Sequence, residues 1–179
     1  MTTIVIISGF LMGCANASSN RMVANNVTLG KAHSGSISVD AGGSGSFFST
    51  GVQSFFAGTR ISDSAFRAAL EQSIRISGLF KVGISGADSD YQISARIISQ
   101  KDNSTLGFAT NMTVTLIVEY VLIRRSDSKI LMRENITSSY TATMSESLIG
   151  MTRYKRSVEG AARNNIRQVL LSISRLDLT

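Results

Sequence analysis

The stretch MTVTLIVEYVLIRRSDSKILMRENITSSYTAT, residues 112–143, decides the fold. Met112, Val114, Leu116, Val118, Tyr120 and Leu122 fall on one side of an extended chain, because side chains alternate between faces along a strand. Thr113, Thr115 and Glu119 fall on the other side, interrupted by Ile117, Val121 and Ile123. SDSK at 126–129 has turn chemistry, and the run from Ile130 carries the chain back. The pattern predicts a long antiparallel hairpin of 112–125 with 129–142. A turn at Asp127–Ser128 pairs Glu119 near Ile136 and Glu134 near Val121. Both carboxylates then face solvent or meet arginines such as Arg96 and Arg133.

Outward from the hairpin the periods remain clear. YQISARIIS alternates Tyr91, Ile93, Ala95 and Ile97 on one face, a third strand. Leu79–Val82 and the run with Ile37 and Val39 add two shorter ones. Between these two, Phe66, Ala69, Leu70 and Ile74 keep a helical spacing, with Ser62 or Ser64 to cap the start and Gly78 to stop it. A long helix closes the chain, its apolar stripe running through Val158, Ala162, Ile166, Val169, Leu170, Ile173 and Leu176. One apolar sheet face and two amphipathic helices make a two-layer sandwich. The expectation is an α+β fold with a mostly antiparallel sheet of about four to five strands and two helices on one face.

The chain has 179 residues, of which 43% are hydrophobic and 17% charged, with a formal net charge of +6. That is one domain's worth of core. A single cysteine excludes a disulfide framework and Cys-rich zinc or iron–sulfur sites within the chain, and a single histidine excludes a multi-His metal site. His33 has no Gly-x-Ser-x-Gly motif to work with. The expectation is a protein that is not an enzyme and needs no metal or cofactor. Its positive charge lies most densely on the outer face of the last helix, at Lys155, Arg156, Arg163, Arg167 and Arg175, against Glu159 and Asp177. Such a face is either simply solvated or meets anionic lipid headgroups, lipopolysaccharide phosphates or an acidic partner. The sequence has no Lys/Arg-rich run of the nucleic-acid type. Two Ser-Phe-Phe repeats place Phe47, Phe48, Phe55 and Phe56 either in the core or in an apolar loop that touches lipid or a partner.

The lone cysteine lies near the front. Ile4–Met12 is an apolar run too short to span a bilayer and of the length of a secretory hydrophobic region. Leu11-Met12-Gly13-Cys14 closes it and resembles the bacterial lipobox, in which the Cys thiol takes a diacylglyceryl group and the chain is cut before it. The match departs at its start, since residues 1–13 contain no Lys or Arg where a secretory leader carries positive charge. Either the start lies upstream or the segment is a buried apolar strand. The expected division is a signal peptide over 1–13, a lipidated Cys14 with a polar tether over 14–32, and one α+β domain over 33–179.

From residue 62 onward, ISDSAFRAALEQSIRISGLF, YQISARI, YTATMSESLIG and EGAARNNIRQVLLSISRL resemble small bacterial outer-membrane lipoproteins. Their order is similar to that of LptE-type lipopolysaccharide-assembly lipoproteins and YajG-type lipoproteins. The resemblance implies a palmitate-bearing lipoprotein on the periplasmic face of the outer membrane, and Ala15 after the cysteine agrees with outer-membrane transfer. Partners would be the membrane, an envelope protein complex, and anionic lipid or lipopolysaccharide, with no nucleic acid. An accessory or structural role in envelope assembly or transport is the leading expectation. A lipid- or glycolipid-binding periplasmic module is the first alternative, and an uncharacterised enzyme the second.

Overall fold

A computed structural model describes residues 16–41, 61–82, 89–102 and 111–178. The elements are α1 (Ser19–Met22), β1 (Ser36–Ala41), α2 (Asp63–Ser77), β2 (Lys81–Val82), β3 (Tyr91–Asp102), β4 (Met112–Arg124), β5 (Lys129–Ala142) and α3 (Gly150–Ser174). The sheet runs β2-β1-β3-β4-β5 and stays open, with β2 and β5 at its edges. The long pairings, β3 with β4 and β4 with β5, are antiparallel, and the short β1 lies parallel to both β2 and β3. A parallel pair needs a crossover, and α2 supplies it between β1 and β2. The fold is α+β.

Local chemistry sets the helix ends. Ser62 accepts from the Ala65 backbone N–H at 3.2 Å and so caps α2. Gly78 ends it at φ 66°, a left-handed conformation that costs a Cβ-bearing residue more. Phe66, Ala69, Leu70 and Ile74 of α2 are buried, as are Val158, Ala162, Ile166, Val169, Leu170 and Ile173 of α3. Both helices cover the face formed by Ile37, Val39, Tyr91, Ile93 and the even-numbered residues of β4 from Met112 to Leu122.

The hairpin register differs from expectation by one residue. Arg124 pairs with Lys129, so the turn spans four residues, 125–128, with Ser128 at φ 56°. Leu122 pairs with Met132 and Ile123 with Ile130, which leaves Leu131 as a bulged residue. Glu119 therefore faces Asn135, and Glu134 faces Tyr120. The shift decides a face, since a one-residue slip inverts every side chain. Ile136 sits opposite Val118 in the core rather than beside Glu119. Glu119 does meet both expected arginines, at 2.8 Å from Arg96 and 3.6 Å from Arg133.

Residues 16–32 correct the expectation of a polar tether. Ala17, Met22, Val23 and Ala24 are buried, Met22 completely. The segment is a strap laid along the helices. Ala24 N–H donates to Ser73 Oγ of α2 at 2.9 Å, Ser18 N–H to Glu159 Oε1 of α3 at 2.8 Å, and Lys31 Nζ to Asp177 at 3.0 Å. A run so rich in Asn and Ser has no period of its own to announce burial. Its apolar side chains are covered because the groove between α2 and α3 receives them.

Candidate functional site

Two groups of expected site residues lie outside the described residues: Leu11, Met12, Gly13 and Cys14 of the lipobox, and Phe47, Phe48, Phe55 and Phe56. The basic residues of α3 are described, and the structure separates them. Lys155 Nζ lies 4.0 Å from Glu159 Oε1. Arg163 Nη1 donates to the Arg21 carbonyl of the strap at 3.2 Å, and its guanidinium lies 5.7 Å from the Tyr140 ring centroid. Arg156 donates to the Glu146 carbonyl in the turn before α3. Arg167 and Arg175 are exposed. The face is thus a margin around the strap and the turn rather than a continuous cationic stripe.

Glu159 was expected on that solvated outer face and is buried instead. Besides the Ser18 N–H, its carboxylate has Arg21 Nε at 3.9 Å. The reason is that α3 has two covered sides, one against the sheet and one under the strap. An α-helix read against a single core face cannot reveal the second. Arg153 opens the basic run RYKR at 153–156. It is fully buried, and its Nη1 donates to the Ser147 carbonyl at 2.6 Å.

Arg153 and its neighbours brace the turn 143–149. Glu146 accepts from Thr143 N–H and from Tyr140 Oη–H, both at 3.0 Å. The Thr143 N–H is the main reason its carboxyl sits below the usual range. Asn111 Oδ1 accepts from Met144 N–H at 3.3 Å. On this braced turn Leu148 is 81% exposed and Ile149 67%, with Met144 and Met151 exposed beside them. The adjacent apolar pair Leu148-Ile149 just ahead of α3 is the sequence signal for this patch.

At the other end of the sheet a groove of about 590 Å³ is bordered by Ser34, Asp90, Tyr91, Arg124 and Arg125. Its charges are engaged within the rim. Asp90 accepts from Ser36 N–H and Oγ–H at 2.7 and 2.9 Å, Arg124 donates to Asp127 at 3.1 Å, and Arg125 donates to Gln92 at 3.0 Å. His33 is engaged in packing. Its Nε2 is 3.1 Å from the Ile173 carbonyl, and its ring stacks on Phe80 at 5.0 Å. Among the described residues no three His, Cys, Asp or Glu side chains gather where they could hold a metal. No helix among them is long and apolar enough to cross a membrane.

The architecture is that of a two-layer α+β sandwich with residues 16–32 strapped along its helices. No family model matches the chain, and no curated protein matches it. Solved structures do. A Xanthomonas campestris protein of the family model DUF330 superposes with a TM-score of 0.66 at 11% identity, covering 89% of this chain and 94% of its own. A hypothetical protein of Chlamydia trachomatis gives a TM-score of 0.50 at 8% identity, over 80% of this chain and 96% of that one. A minor lipoprotein of Acinetobacter baumannii gives 0.45 at 12% identity, over 78% and 90%. The first two are likenesses of fold alone.

Proposed function

We propose that this chain is a bacterial lipoprotein, anchored through Cys14 at the periplasmic face of the outer membrane, that serves as a non-enzymatic accessory component of an envelope assembly or transport complex. The observation that carries this reading is Leu11-Met12-Gly13-Cys14 at the end of the apolar run. A thiol there takes a lipid, and more than one acyl chain gives stable anchoring. The accessory role is supported by β5, an open edge strand of 14 residues. Such an edge accepts a partner's strand through main-chain hydrogen bonds. A module that swallows lipid between helices and sheet is less favoured, because that face is filled by buried side chains of α2 and α3.

The test is radiolabelled-palmitate incorporation with membrane fractionation, comparing wild type with Cys14→Ser, both expressed with the native upstream sequence. Label and outer-membrane flotation for wild type, both lost in the variant, are the expected result. An unlabelled wild type that stays in the cytoplasm would overturn the reading.

A further inference from the structure

We infer that the apolar turn before α3 together with the helix's first turn, with Met144, Leu148, Ile149 and Met151 exposed there and Lys155 and Arg156 behind them, is a bilayer-contact surface that seats on anionic lipid headgroups. The inference rests on the lipid-anchor reading above and says which way the domain faces once anchored.

The patch is concentrated and built. Those four side chains are most of the large hydrophobics exposed among the described residues; Ile76, Ile98 and Ile130 are the others and are scattered. Exposed apolar side chains gathered at one tip mark an interaction surface, whereas single ones do not. The turn is not loosely held. Fully buried Arg153 grips the Ser147 carbonyl, Glu146 is held by Tyr140 and Thr143, and Arg156 donates to the Glu146 carbonyl. A fold that braces Leu148 and Ile149 in solvent gains nothing in its own core from doing so.

Two cations of α3 follow the patch. Arg156 reaches back to the turn, where it donates to the Glu146 carbonyl, and Lys155 stands beside it with its Nζ 4.0 Å from Glu159 Oε1 on the side away from the turn. Long basic stems beside apolar side chains suit an interface where the tip enters acyl chains and the charge stays among phosphates.

The strap orients the anchor toward the same end. It meets α3 in order, Ser18 at Glu159, Gly30 at Ser174 and Lys31 at Asp177. Its Cys14 side therefore points to the N-terminal end of the helix. Cys14 lies three positions before buried Ala17, a reach of at most about 11 Å. Glu159 lies eight residues beyond Met151, about 12 Å along the axis. Because Ala17 is held in the core, an anchor at Cys14 would keep the domain close to the bilayer, with the turn on the side that meets it. A lipid anchor together with a basic apolar surface also supplies the two signals that stable membrane residence needs.

The chain contains no Trp, so Leu148→Trp makes a sole reporter. The full chain carrying Cys14→Ser and Leu148→Trp is titrated with vesicles of phosphatidylglycerol and phosphatidylcholine in equal parts, and with phosphatidylcholine alone. The expected result is a blue-shifted emission with the anionic vesicles, weaker or absent with the neutral ones. Adding Lys155→Gln should raise the anionic lipid needed for half the shift about fivefold. Trp at a distant exposed site, Ile130→Trp, should not shift. The indole reports its own surroundings, so the apolar run at the front of the chain does not produce the signal. An unshifted Leu148→Trp, or an equal shift of Ile130→Trp, overturns the surface. A shift only in the presence of envelope protein also overturns it, and assigns the patch to a protein partner. Palmitate labelling of Cys14 with no vesicle shift rejects this surface alone, whereas a vesicle shift in a chain that is never labelled rejects the anchor alone.

Discussion

Tyr120 on β4 donates its hydroxyl to Asn165 Oδ1 on α3 at 2.9 Å, and both side chains are fully buried. The amide of Asn165 turns the other way. Its Nδ2 donates to the Ile136 carbonyl at 2.8 Å and reaches Ser138 Oγ at 3.0 Å, while Ser138 Oγ–H donates to the Ala161 carbonyl at 2.9 Å. One amide thus joins α3 to both strands of the hairpin inside the core, where an unpaired polar group is costly.

Asn165→Ala should lower stability by about 3 kcal/mol, because it strands several buried polar groups at once. Tyr120→Phe should cost less. The two losses should fall short of additive in a double-mutant cycle measured by urea unfolding. Full additivity would mean that the pair is not coupled.

Gly160 lies under the Tyr140 ring, and a Cβ there would overlap the ring carbons. Replacing a mid-helix glycine by alanine ordinarily stabilises by about 1 kcal/mol. Here Gly160→Ala should instead destabilise, by about 1–3 kcal/mol, through forced repacking. Combining it with Tyr140→Ala should restore part of the loss. A raised melting temperature for Gly160→Ala alone would show that the ring moves aside freely.

Glu159→Ala should release the strap from α3. The Ser18 amide loses its acceptor, so its hydrogen exchange should accelerate by at least tenfold while sheet amides change less. Glu159→Gln keeps an acceptor oxygen and should be milder. Unchanged exchange at Ser18 in both variants would show that Glu159 does not hold the strap.

The pH limits have opposite signs. Glu146, Asp90 and Asp127 are held below the ordinary carboxylate range, chiefly by the Thr143 N–H, the Ser36 N–H and the Arg124 guanidinium respectively. Their stabilisation is present above that range and is lost as pH falls through their folded values, so the urea midpoint should drop below about pH 4. Tyr154 is pushed up to about 12, first by burial and then by Asp102. Burial also raises Tyr120 and Tyr140. Their neutral phenols contribute fully below about pH 10, and that contribution is lost as pH rises toward the folded values. Tyrosinate absorbance should therefore rise together with unfolding. Full ionisation near pH 10 with the fold intact would contradict the burial.

Regular periods were legible wherever one element met one core face. The alternation from Met112 to Leu122 and the helical stripe from Phe66 to Ile74 identify their buried sides unaided. The hairpin's register was not legible. Leu131 is a good strand residue, and only the twist and closure of the hairpin make it the extra one. The basic residues of α3 could be counted from the sequence, but their partners could not. Arg156 and Arg163 reach carbonyls at positions 146 and 21, which no local pattern brings near.

By itself the sequence determined the element types and their order from β1 onward and the two-layer architecture, but not α1, because hydrophobic periodicity is a local property of neighbouring side chains. It also determined the Leu-Met-Gly-Cys motif. Tertiary structure alone decided that residues 16–32 are a strap, that Glu159 and Arg153 are buried, and that Leu148 and Ile149 stand out on a braced turn. Those outcomes depend on which distant group fills a groove or accepts a hydrogen bond. Such pairings arise only when the helices pack on the sheet.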